Sequence, residues 1–325
     1  MDIKKVIFLI CFLHVSTGIF SQVERITLGS NIWPPFTNTS GNKAVSTDIV
    51  REALSRSGLK SKHVIKDFGH VLEELKSNSL DGCAAIWFTK ERSNFLNYSD
   101  PYLINKLILV GKKGNPIQFS SLNELGNKRV AIVADYAYGN DIETASNVKF
   151  IKGENDQENL NLLLKDTVDY VLVEALLIEY LKLEQGEAVN NLLEIGQNTM
   201  IEQPLYFVLR KNYPGSDSII TRFNIELNNM IVEGIYNRIL ELNWIEVDVD
   251  NDGKTELVLK GKHAGITPPE NSYSVFKKDD SIARVDQRFF IDGKYYDSWN
   301  DVPEFYKKSP PKTNKDLNPS YKIKL

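Results

Sequence analysis

From Val23 to about Trp244 the chain alternates short apolar runs with amphipathic ones, and this alternation limits the possible folds more than any other feature. ITLGS (26–30), HVIKD (63–67), GCAAIWF (82–88), LILVGKK (107–113), RVAIVAD (129–135), DYVLVE (169–174) and LYFVLRK (205–211) read as strands. Between them, STDIVREALSRSG (46–58), HVLEELKS (70–77), ENLNLLLKD (158–166), LLIEYLKLEQG (176–186) and a long stretch from Asp217 to Leu242 carry helical spacing. In the first of these helices Ser46 or Thr47 is the expected N-cap, Asp48 lies in the first turn and Gly58 ends it. Such alternation predicts α/β lobes with largely parallel sheets, in which strand ends and helix N-termini gather around a ligand.

The two ends of the chain differ from this middle. Lys4 and Lys5 precede an apolar run from Val6 to Val15, and small residues follow at Ser16, Gly18 and Ser21. This pattern reads as a signal peptide over 1–21 and predicts a periplasmic protein. As a helix the run covers only ~15 Å, too little to span a bilayer. Its removal leaves enough chain for two domains and takes the formal charge from −4 to −5. A mildly acidic surface argues against nucleic acid or anionic lipid as the main partner, and a monomer is expected. Only Cys83 then remains, which excludes an intrachain disulfide, and its setting in GCAAIWF reads as core. The four histidines show no metal-ligand spacing. After Trp244 the composition shifts to an acidic turn (DVDNDG), two aromatic runs (RFFID, KYYDSW) and a Pro/Lys-rich end. The reading assigns 245–310 to a small C-terminal β module and 311–325 to a flexible tail.

Candidate binding residues cluster at strand ends. Trp33 and Phe36 follow the first strand in a loop stiffened by Pro34 and Pro35, where they face a ligand or plug the lobe. Trp87 and Phe88 end another strand, and alternation sends only one of them toward the cleft. Arg92 follows in TKER, where a guanidinium suits a carboxylate by paired hydrogen bonds, the plainer alternative being a surface ion pair.

The order IWPPF, STDIVREAL, SNSLDG, TKERSNFLNYSDPY, VAIVADYAYG, DYVLVE and GIYNRILELNW resembles the family 3 extracellular solute-binding proteins, the polar amino-acid receptors of bacterial ABC transporters. The resemblance runs from about Ile26 to Trp244. It implies the two-lobed type II periplasmic-binding-protein fold, with 22–109 and 208–244 in one lobe and 110–207 in the other. LILVGKK and LYFVLRK would be hinge strands, and the lobes would close on a small polar solute. Position by position, Arg92 matches the arginine that holds the ligand carboxylate, and Glu174 the acid that receives its ammonium. Trp33 matches an aromatic packed on the ligand, while Tyr136 and Ala137 lie in the turn whose amides complete the carboxylate cradle. Ala85 and Trp87 depart from the small or hydroxylic residues usual seven and five positions before the arginine. Asp135 replaces a glycine, and either favours a cationic group or caps the next helix. Trp33, Trp87, Tyr136 and Tyr138 together suit an amine or a cyclic solute through cation–π contact.

In the C-terminal module, Asp248, Asp250, Asp252, Gly253 and Glu256 form D-x-D-x-D-G-x-x-E. Alternate carboxylates before a glycine suit calcium, although Leu259 stands where an EF-hand has its last acid; a solvated hairpin is the alternative. No cofactor is required, and a structural calcium would staple the module. The expected function is solute binding without catalysis, as an amino acid or related amine is delivered to an ABC permease. The alternatives are sensing through a membrane partner and, more remotely, dehydratase chemistry.

Overall fold

A computed structural model describes residues 25–240, 244–250, 252–259, 264–265 and 288–308, so the expected signal peptide at 1–21 and the expected tail at 311–325 lie outside the described residues. The first lobe opens with β1 (Arg25–Ser30), α1 (Val45–Arg56), β2 (Lys60–Ile65), α2 (Phe68–Lys76), β3 (Gly82–Trp87) and β4 (Leu96–Tyr98). β1 pairs in parallel with β2 and β3, and every residue of β3 is buried, as an unbroken apolar run covered on both faces requires. Cys83 is fully buried in this strand.

β5 (Leu103–Lys112) leads into the second lobe. This lobe holds β6 (Arg129–Val133), α3 (Asn140–Thr144), β7 (Lys149–Gly153), α4 (Asp156–Leu164), β8 (Tyr170–Glu174), α5 (Ala175–Gln185) and α6 (Glu187–Leu192). β9 (Leu193–Arg210) returns, and α7 (Ser216–Val232) and α8 (Ile235–Leu240) follow it. The strands line up as β2-β1-β3-β9-β5-β8-β6-β7, with β4 beside β9.

β5 and β9 run antiparallel from the pair Leu103–Leu205 to the pair Lys112–Leu193 and tie the lobes together. β9 meets β3 and β4 over Leu205–Arg210, while β5 meets β8 over Leu107–Gly111. The crossover therefore lies at Leu103–Leu107 and Ile201–Leu205, a few residues before the boundaries expected at 109/110 and 207/208. Register shifts at Leu107/Ile108 and Ile108/Val110 sit beside it, where an irregular ladder lets strands bend.

The expected hydroxyl cap of the first helix is replaced by backbone. Ser46 and Thr47 lie inside α1 and are buried, and Ala44 is the cap residue with no side-chain bond. The amides of Val45, Ser46 and Thr47 donate to the carbonyls of Pro35 and Phe36. A loop that already folds back on itself can satisfy orphan helix amides as well as a hydroxyl can.

The C-terminal module is a four-stranded sheet in the order β10 (Ile245–Val247), β11 (Glu256–Leu259), β12 (Arg288–Ile291) and β13 (Lys294–Tyr296). Alternation divides its side chains between two faces. Leu257, Leu259, Phe289 and Ile291 pack with Trp244, Val302 and Tyr306 in a separate small core. Ile245, Val258 and Phe290 turn the other way and join the core of the first lobe. The Asn237 side chain of α8 donates to the Val258 carbonyl at 3.0 Å, fixing the module against that lobe.

Candidate functional site in the interlobe cleft

The loop after β1 is built to present one aromatic and bury another. Trp33 and Thr37 exchange backbone hydrogen bonds of 2.8 and 2.9 Å, which closes a tight turn around the two prolines. Phe36 points into the lobe with no exposure, and Trp33 packs on it at 4.4 Å between ring centroids. Trp33 then lines the cavity between the lobes. Phe36 thus plugs the lobe, while Trp33 faces the space between the lobes.

β3 separates its two terminal aromatics as alternation requires. Trp87 lines the same cavity, and its indole N–H donates to the Asn105 side chain on β5 at 2.8 Å. Phe88 is half exposed and packs against Tyr98. The Thr89 hydroxyl accepts the Arg92 amide at 3.0 Å, closing the turn that aims the arginine inward. Ala85 lines the cavity beside Trp87.

Arg92 is only 8% exposed. Its guanidinium donates to the Trp87 carbonyl at 3.0 Å and, across the cleft, to the Asp135 carbonyl at 3.4 Å. It also lies 5.3 Å from the centroid of the Phe68 ring. Burial pushes its pKa below the usual arginine range, although it remains a cation at any physiological pH. Among the described residues no carboxylate forms an ion pair with it.

The second lobe contributes the turn after β6. Asp135 adopts φ 60°, a left-handed conformation that aspartate tolerates better than most residues and that suits a place where the family resemblance leads one to expect glycine. It is exposed and lines two grooves between the lobes, of about 630 and 860 Å³, one bordered by Lys66, Asp67 and Glu154 and the other by Lys90 and Glu143, and it does not cap α3, whose N-cap is Gly139. Tyr136 inserts its ring between the lobes, with centroids 5.5 Å from Trp33, 5.3 Å from Trp87 and 6.0 Å from Phe68. Its hydroxyl accepts from the Asn31 side chain at 3.1 Å. Tyr138 stacks behind it, accepting the Val133 amide at its hydroxyl. Among the described hydrogen bonds, the backbone amides of Tyr136 and Ala137 donate to no protein group.

These rings leave a cavity of about 20 Å³, room for roughly one water. Trp33, Ala85, Trp87, Arg92, Tyr136 and Ala137 meet there. Glu174 does not: it lines none of the three cavities and is the N-cap of α5. One carboxylate oxygen accepts the Leu176 amide and the other the Lys106 amide at 3.2 Å. An acid immediately before an apolar helix is drawn to that helix's free amides.

Asn31, Phe68, Asn105 and Asp156 are the participants that sequence reasoning missed. Phe68 was hidden because α2 begins two residues earlier than the apolar spacing suggests. Asp156 starts α4 after the capping Asn155 and is buried with its pKa raised to about 7, first by desolvation and then by Glu174. The run Asn155–Asp156–Gln157–Glu158 carries the signal of a helix start, which identifies Asn155 but gives no hint that its neighbour turns inward.

Residues 26–247 match the bacterial extracellular solute-binding proteins, family 3. The chain belongs to this family. The L-cystine-binding protein TcyA of Bacillus subtilis (strain 168) is 24% identical over 231 residues, covering 69% of this chain and 82% of the relative. Among solved structures, an ancestral arginine-binding protein bound to arginine aligns with a TM-score of 0.57 at 25% identity, over 67% of this chain and 96% of that one. The VFT2 domain of Bordetella pertussis BvgS, solved as a double mutant, aligns with a TM-score of 0.56 at 17% identity, over 67% of this chain and 91% of that one; at this identity it shows the fold alone.

The family 3 match ends at β10, so β11, β12, β13 and the acidic turn lie beyond it. In that turn oxygens of Asp248, Asp250 and Glu256 lie within 4.8 Å of one another. Asp252 turns aside to Arg288, at 3.1 Å. Arg288 also meets Glu256, which is fully buried, and approaches Asp250 at 3.9 Å. The Asp248 carboxylate is further occupied by the amides of Asp252 and Gly253. Among the described residues no helix is long and apolar enough to cross a membrane.

Proposed function

We propose that this family 3 protein is an exported, non-catalytic receptor that closes its lobes on a small polar solute bearing a carboxylate and delivers it to an ABC permease. The observation that carries the reading is Arg92, a buried cation at the interlobe cavity whose described partners are carbonyls rather than an acid. A guanidinium in this state favours an incoming carboxylate, and the amides of Tyr136 and Ala137, which donate to no protein group among the described hydrogen bonds, can serve its second oxygen. The relatives support a solute of amino-acid size, since they include a cystine-binding and an arginine-binding protein. An amine held by cation–π contact is disfavoured, because Arg92 shares the aromatic cavity and repels a second cation.

The test is a thermal-shift screen of the mature chain against amino acids, opines, amines and small carboxylates, repeated with Arg92→Ala. The variant is expected to lose at least tenfold in affinity for any stabilising acid, about 1.5–3 kcal/mol for a charged hydrogen-bonding partner. Undiminished binding would remove Arg92 from the site.

Sensing through a membrane partner is a second reading, favoured by the C-terminal module packed on the first lobe, which solute capture does not need. A growth defect on the solute after gene deletion supports transport; a lost transcriptional response with normal growth supports sensing. The proposal includes a calcium staple in this module, supported by the clustered oxygens of Asp248, Asp250 and Glu256. Arg288 competes for the same carboxylates. Calcium is expected to raise the melting temperature above that in EDTA; identical melts would leave Arg288 as the only staple.

A further inference from the structure

Each of the two grooves shares walls with the small cavity at Arg92. The groove of about 630 Å³ has Asn31, Phe68 and Tyr136 in common with it, and the groove of about 860 Å³ has Tyr136 and Ala137. A solute with its carboxylate on Arg92 thus has two directions in which to extend, and charge separates them. In the larger groove Lys90 and Lys152 balance Asp135 and Glu143. The smaller groove has Asp67 from the first lobe, Asp135 and Glu154 from the second, and Lys66 as its one lysine or arginine among the described lining residues. Lys66 is paired with Glu74. Three carboxylates therefore border this groove without a lysine or arginine of the lining to spare for them. All three residues are exposed, so water screens their repulsion while the groove is wet. Closing the lobes on a solute removes that water and strengthens the repulsion, unless the solute brings a cation between them.

Asp135 holds the central place among these acids. It borders both grooves, whereas Asp67 and Glu154 border one. Its carbonyl accepts from Arg92 at 3.4 Å. Its carboxylate is close enough to Arg92 to offset part of the fall that burial imposes on the arginine's pKa. Asp67 lies 3.6 Å from the His70 ring, while among the described residues no hydrogen bond or ion pair engages the Asp135 carboxylate. Arg92 and Asp135 are thus opposite charges on opposite lobes, joined through one backbone contact.

We infer that the groove bordered by Asp67, Asp135 and Glu154 receives a cationic side chain of the solute, with Asp135 as the specificity-determining acid, and that the solute is a cationic amino acid. The inference rests on the reading of Arg92 as the carboxylate anchor. One buried cation and three acids complement a solute with one carboxylate and two cationic groups better than a neutral zwitterion or an acidic amino acid.

Calorimetric titration of the mature chain with matched pairs tests it: L-arginine against L-citrulline, and L-lysine against L-norleucine. In each pair the neutral member keeps the length of the side chain and loses its charge. At least one cation is expected to bind ten or more times tighter than its neutral partner. Asp135→Asn is expected to narrow that ratio at least fivefold, and asparagine tolerates the left-handed conformation of this position as aspartate does. The comparison within wild type needs no variant, so a poorly folded variant does not disable it. Neutral members that bind as tightly as their cations, or no binding by either cation, overturn the inference and leave Arg92 free to anchor another acid. A ratio unchanged in Asp135→Asn overturns the role of Asp135. The anchor reading falls separately, if Arg92→Gln binds the cation as tightly as wild type.

Discussion

Arg92 and Asp156, buried in opposite lobes, face opposite problems. Arg92 cannot shed its charge, so its site must accept negative charge from outside. Asp156 can take up a proton, and burial beside Glu174 raises its pKa to about 7 even at the first turn of α4, where the helix dipole favours the anion. The folded protein thus holds this proton more tightly than the unfolded chain does. Stability falls as pH rises from about 4 to 7 and stays reduced above, by at most about 4 kcal/mol. Asp156→Asn is expected to flatten this dependence and to raise the melting temperature at pH 8 while leaving it nearly unchanged at pH 4. A variant whose melting temperature falls between those pH values as steeply as wild type would dismiss Asp156 as the source. Arg92, Trp33 and Trp87 stood out in the sequence because they follow strand ends, where ligands of such sheets gather, and Tyr136 through the family resemblance. The position of Glu174 fits two roles in the sequence, and in the structure it caps α5 through the Leu176 amide and stands outside the three cavities.

At the scale of elements, the apolar runs revealed strands that are buried along their whole length and hid those that are not. All of β3 was legible. Only the last third of β9 was, because Asn198, Glu202 and Gln203 interrupt its apolar pattern while the backbone continues to pair with β5. Pairing of this kind is decided between strands and leaves no local mark. Close approach leaves one, however, in glycine. A Cβ at Gly82 would lie 2.2 Å from the Val208 carbonyl oxygen on β9, and 2.9 and 3.0 Å from the Leu209 and Leu28 side chains. Gly82→Ala must push β3 away from the strand that leads back from the second lobe. It is expected to cost about 1–3 kcal/mol, a fall of several degrees in melting temperature. An unchanged melt would mean that β3 and β9 are not held as close as described.

At the scale of the whole molecule, closure depends on very few polar contacts. The lobes share β5 and β9, but across the cleft the described hydrogen bonds include Asn31 to Tyr136 and Arg92 to the Asp135 carbonyl. The aromatic cluster adds contact area whether or not these bonds form, so they set the balance between closed and open forms rather than the fold. Tyr136→Phe keeps the ring and removes one bond, worth about 0.5–1.5 kcal/mol, which corresponds to roughly a two- to tenfold shift toward the open form. Small-angle scattering is expected to show a larger radius of gyration for the variant than for wild type, with an unchanged melting temperature if folding does not depend on closure. A radius equal to that of wild type would mean that ring packing alone holds the lobes together. A solute that displaced the Tyr136 ring would then have to replace that packing.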